Sequence, residues 1–245
     1  MTTIIIILTI SFFASLVRST LGFGESLIAV PLFLLFLPLE VAVPLSVLLS
    51  IIIALVIVIQ DHTKIHFHSA KWLVIYAIAG IPVGLFILIY GNETFVKIAL
   101  GLLIITYSFY SLFKKKTDPT TQQQNNKLWL FVCGFLSGVF GGAYGLNGPP
   151  LVVYGNLRNW TAKYFRATLQ AYFLPASIIG AIGYYAKGLI TTEVNYYFLY
   201  SLTTVIPAVF LGRYLNSKLN DHSFFKYVYW SLIIIGLILI GNSLK

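Results

Sequence analysis

Long uncharged apolar runs recur from one end of this chain to the other, Leu45 to Ile59 and Trp230 to Ile240 among them. With flanking residues each approaches the ~20 needed to cross a hydrocarbon core. A water-facing surface cannot be assembled around so many of them. Only 9% of residues are charged and 58% are hydrophobic, against about 25% charged in an ordinary soluble domain. The apolar surface must face lipid, and the pattern predicts an all-α polytopic bundle of transmembrane helices.

Ile4 to Val17 has the apolarity of a secretory leader but no basic region before it. Arg18 and glycines follow it where a small-residue cleavage site would stand, so it is expected to remain in the mature protein. The single cysteine, Cys133, excludes an intrachain disulfide and any multi-cysteine metal site. The formal charge of +9 is expected to come from loops facing anionic lipid, and no nucleic-acid partner is expected.

The one polar, low-complexity stretch, residues 114–127, divides the chain into a first transmembrane repeat, 1–113, and a second, 128–245. Leu21-Gly22-Phe23-Gly24-Glu25-Ser26-Leu27 matches Tyr144-Gly145-Leu146-Asn147-Gly148-Pro149-Pro150-Leu151 with one gap. Ile81-Pro82 falls opposite Ile206-Pro207, and Asn92 to Lys97 opposite Asp221 to Lys226. Such ordered matches predict a duplication. Each half reads as an interrupted opening segment followed by three helices, roughly 41–60, 70–90 and 94–113, then 162–185, 194–215 and 224–243.

An unbroken helix over residues 2–37 would be about 54 Å long, too much for one ~30 Å core. Either the chain turns back at its glycines or each arm crosses separately, and basic residues discriminate. With single crossings, eight Lys and Arg fall on the linker side and seven opposite, which is no bias. With each opening segment a re-entrant hairpin, twelve fall on the linker side and only Lys97, Lys187 and Lys245 opposite. The second distribution follows the positive-inside tendency. It predicts two inverted repeats, a cytoplasmic linker and both termini external, in a bacterial-type inner (plasma) membrane.

Non-helical backbone at membrane depth is tolerated only inside protein or along a cavity. The two glycine-rich breaks are therefore expected to meet near the midplane, with Gly22, Gly24, Gly145 and Gly148 leaving backbone N–H groups directed at a small anion. Close helix packing is the other use of such glycines. Glu25 follows the first break, far from any charged loop. An intramembrane carboxylate marks an ion or proton pathway, so Glu25 is a candidate for proton coupling; a helix cap is its alternative. Arg18 offers a planar fork for an oxyanion, or else pairs with Glu25 or reaches an interface. Phe23, Tyr144, Asn147 and Gln170 complete the candidate substrate contacts. Arg166, beside Arg158 and Lys163, reads first as a topology determinant. His62, His66 and His68 read as a solvated loop rather than a metal site. No Ser/His/Asp or Cys/His set, paired-carboxylate site or phosphate-binding loop occurs, so neither catalysis nor a cofactor is expected.

Gly22 to Leu32 and Gly141 to Tyr154 resemble the motifs of the TauE/SafE sulfite exporter family, and the resemblance extends over nearly the whole chain. It implies a two-half secondary transporter for sulfite or a related organosulfur anion. Glu25-Ser26 replaces further glycines of many relatives, and Asn147 with Pro149-Pro150 marks the second motif. An anion channel of the same architecture and a carrier of non-sulfur organic anions are the other readings.

Overall fold

The computed structural model describes residues 2–113, 127–158, 160, 162–218 and 222–244. The linker expected at 114–127 lies outside them except for Lys127, which is already the first residue of a helix. Ten α-helices are present among the described residues: α1 (Thr2–Leu21), α2 (Glu25–Phe33), α3 (Leu39–Asp61), α4 (Phe67–Tyr90), α5 (Glu93–Phe113), α6 (Lys127–Tyr144), α7 (Gly148–Leu157), α8 (Ala162–Ala186), α9 (Thr192–Lys218) and α10 (His222–Ser243). The six helices read from the sequence are all there, with ends displaced by three residues at most. Six helices, α1, α3, α4, α5, α6 and α9, are long and apolar enough to cross a membrane. Large apolar side chains such as Ile59, Phe86, Ile182 and Leu199 stand on outer surfaces, where lipid is the solvent that suits them.

Helices from the two halves interleave. Helix α4 packs on α6, α1 on α9, α3 on α8 and α5 on α10. Glycines permit the first of these approaches: a Cβ on Gly138 would strike the backbone of Ala77, and one on Gly80 the backbone of Phe135 and Val139. Without a hydrophobic force between helices in lipid, close backbone packing of this kind supplies the association.

The same contacts give the helix directions. Leu73 faces Gly134 and Ala77 faces Gly138, so α4 and α6 run the same way. Ser11 bonds to Ser201 and Ser19 to the Val209 carbonyl, so α1 runs with α9. Val47 lies by Gly180 and Asp61 by Arg166, so α3 runs against α8. Gly101 lies between Gly236 and Ile240 while Ile105 meets Gly236, so α5 runs against α10.

Each opening segment is a long helix, a break and a short helix. At 1.5 Å per residue the 20 residues of α1 reach about 30 Å and the 9 of α2 about 14 Å. Helix α2 starts beside Ser46 and leads back to the first turn of α3. The second break lies against Val43, Ser46 and Val47, and α7 leads from there toward Trp160, which stacks on His66 just beyond the other end of α3. The two short helices thus lead toward opposite ends of α3, and the two breaks meet beside its middle turns.

Candidate functional site: a cavity between the two breaks

At the first break the chain needs two left-handed residues, and glycine supplies both: φ is 88° at Gly22 and 100° at Gly24. At the second break one left-handed glycine suffices, Gly145 with φ 68°. Between the tips lies a small opening. Arg18, Gly24, Glu25, Ser26, Leu27 and Ser50 line it from the first half. Gly145, Leu146, Asn147, Gly148 and Phe173 line it from the second.

Arg18 and Glu25 form an ion pair, Nη1 to Oε2 at 3.3 Å, with side chains only 3% and 1% exposed. Burying two charges costs several kcal/mol unless the remaining hydrogen-bond capacity is used, and here it is. The arginine's Nη1 donates to Ser50 Oγ at 2.6 Å, and its Nε and Nη2 both donate to Gln170 Oε1, at 3.2 and 2.9 Å. The carboxylate accepts from Ser46 Oγ at 2.8 Å and Ser26 Oγ at 2.9 Å. The guanidinium also lies over the Phe173 ring, 4.6 Å from its centroid, a favourable placement for a cation. Arg18 comes from α1, Glu25 from α2, Ser50 from α3, and Gln170 and Phe173 from α8, so one charged pair holds four helices in register.

The first turn of a helix has N–H groups with no partner inside the helix. At α2 these belong to Glu25, Ser26 and Leu27, all on the cavity wall. At α7 the corresponding turn is Gly148-Pro149-Pro150, and prolines have no N–H. They open α7, where proline is tolerated, rather than stopping the helix before it, which has already ended at Tyr144.

Of the residues expected to contact a ligand, six line the cavity: Arg18, Gly24, Glu25, Gly145, Asn147 and Gly148. Four do not. Gly22 faces away, toward Arg166, and its carbonyl accepts from Gln170 Nε2 at 2.6 Å. Phe23 is edge-on to Phe165. Gln170 has its oxygen engaged by Arg18, and Tyr144 is buried outside the lining. The cap expected of Glu25 is also absent: Gly24 occupies the cap position with no side-chain cap bond, because the carboxylate turns to Arg18 and the serines instead. Arg166 sits apart from the cavity, its Nη1 3.5 Å from Asp61 Oδ2 and 3.2 Å from Asn216 Oδ1. His66 stacks on Trp160 while His68 lies edge-on to Trp72.

Ser26, Ser46, Ser50, Leu27, Leu146 and Phe173 were not legible as site residues. The serines of α3 carried one usable signal: Ser46 and Ser50 are four apart, one helix face, inside an otherwise apolar span.

The family described as Sulfite exporter TauE/SafE matches residues 7–239 of the chain. No curated protein and no solved structure matches it.

Proposed function

This chain belongs to the sulfite exporter TauE/SafE family, and from that premise we propose that it is a secondary transporter carrying sulfite or a related organosulfur anion through the cavity between the two breaks. One arrangement supports the reading: the Arg18 guanidinium, the Glu25 carboxylate and the first turn of α2 all line the small space in which the two breaks meet. Charge-assisted donors of this type suit an oxyanion.

The halves are proposed to be inverted copies. Support comes from the helix directions, since α3 and its counterpart α8 run oppositely, as do α5 and α10. Rocking of one half against the other about the cavity would then expose it alternately to each side. The reading also puts Arg158 and Arg166 on the cytoplasmic side with the linker, and both termini outside, in an inner membrane.

Glu25 is proposed to couple transport to protons. While it is ionised it holds Arg18; on taking a proton it gives up the ion pair, and the positive charge becomes available to the anion. Anion and proton would then travel together, and the pair would re-form after release.

Purified protein in proteoliposomes, offered sulfite, thiosulfate, sulfate and sulfoacetate under an imposed pH gradient, tests both parts. Sulfite or sulfoacetate flux driven by the gradient is expected, and Glu25→Gln should abolish its dependence on pH. Flux that ignores the gradient in the unaltered protein, with a reversal potential set by the anion alone, would replace the carrier by a channel.

A further inference from the structure

We propose that Arg166 forms a second oxyanion station, separate from the central cavity and lying on the Asp61 side of it; the idea rests on the transport reading and names a further binding site on the same path. Arg166 is 6% exposed. Its Nη1 is engaged by Asp61 and Asn216. Its Nε and Nη2 are buried and donate to no acceptor.

Which two atoms these are decides the chemistry. Nε–H and Nη2–H point in parallel from one edge of the guanidinium, the edge that grips two oxygens of a carboxylate, sulfite or sulfonate at once. At Arg18 the same edge is taken, both donors going to Gln170 Oε1. A buried donor without a partner is costly, so the unpaired edge of Arg166 is the feature a purely structural arginine would not keep.

Its position fits a path. Arg166 and Gln170 are four apart on α8 and so share a face, about 6 Å apart along the axis. Gln170 bonds Arg18 and the Gly22 carbonyl, and the stem of Arg166 packs on Gly22. The first break therefore has one arginine on each side. Asp61 is the counter-charge at the station, and Arg213 of α9 acts on the same guanidinium, keeping the local balance positive. An oxyanion moving between the central cavity and the Asp61 side would pass from the charge of Arg18 to the open fork of Arg166.

The test uses sulfite and Arg166→Lys, which keeps the charge and removes the fork. In proteoliposomes of known orientation, KM for sulfite supplied on the Asp61 side should rise about tenfold, the worth of one lost charged hydrogen bond. KM from the opposite side should stay within about twofold, an energy difference too small for a lost contact of that kind. Asp61→Asn, which leaves the arginine in place, should lower KM on the Asp61 side. Equal changes from both sides, a change in maximal rate alone, or no change would overturn the station. A wild-type protein that moves no sulfite fails the transport reading instead, and calorimetric titration in detergent then decides. Two sulfite sites per chain falling to one in Arg166→Lys support the station, and an unaltered stoichiometry refutes it.

Discussion

The two breaks occupy equivalent places in the two halves, yet they are built from different chemistry. The first carries a buried ion pair, three serine contacts and a helix turn with open N–H groups. The second is neutral and tied down by its own half. Ser137 Oγ donates to the Asn147 carbonyl at 2.6 Å, and the Tyr184 hydroxyl lies 3.1 and 2.8 Å from the carbonyls of Gly141 and Gly142. A Cβ on Gly141 would occupy the place of the Asn147 side-chain oxygen. Of the two tips, the first holds the charges while the second gives them an uncharged wall.

The sharpest way to break that contrast is to remove one charge. Glu25→Ala and Arg18→Gln each leave a buried ion without its partner, which costs about 3–5 kcal/mol. Both are expected to lower the thermal midpoint in detergent steeply and to abolish flux. The double variant Arg18→Gln/Glu25→Gln should recover most of the stability while remaining inactive. Asn147→Ala, in the neutral tip, is expected to cost only about 1 kcal/mol. Equal losses in the single Arg18 or Glu25 variants and in Asn147→Ala would erase the distinction between the tips.

Much of this was legible in the residues. The six long helices follow from apolar runs bounded by Asp61-His62, Gly91-Asn92 and Lys187-Gly188, because lipid admits little else. Both breaks follow from glycines placed where one helix would be too long. Pairing of Arg18 with Glu25 was foreseeable from two opposite charges flanking a tight turn in an apolar segment. The remaining partners were hidden by distance along the chain. Gln170 is 152 residues from Arg18, and Ser50 is 127 from Ser177, so no local period signals either contact. Tyr144 and Gln170 misled for a related reason: a polar residue beside a break can serve the cavity or brace its wall, and composition does not say which.

A second contrast separates the glycines within and between the breaks. Gly22 and Gly24 both have positive φ, which costs an alanine about 1–2 kcal/mol. At Gly22 the new Cβ would also sit 3.0 Å from the Cα of Arg166, whereas at Gly24 its nearest neighbour is a Val17 methyl at 3.8 Å. Gly22→Ala should therefore lower the midpoint more than Gly24→Ala. Gly145→Ala, with Val47 at 3.3 Å, should fall between them. A different order, read from thermal unfolding in one detergent, would place Arg166 elsewhere than against the first break.

The smallest expected effect comes from the prolines. If the second tip is quiet because Pro149 and Pro150 lack N–H groups, restoring a donor should begin to make the tips alike. Pro149→Ala places a new amide in the first turn of α7, next to Gly148 on the cavity wall, where no intrahelical acceptor exists for it. An anion in the cavity could accept from it, and one such bond is worth about 0.5–1.5 kcal/mol net. KM for the transported anion is expected to fall by about two- to twelvefold. The midpoint should hardly move, since proline and alanine are both tolerated at that position. Maximal rate should fall with KM, because an anion held more tightly leaves more slowly. An unchanged KM would mean that the anion rests against the first tip alone, with the second acting only as its wall.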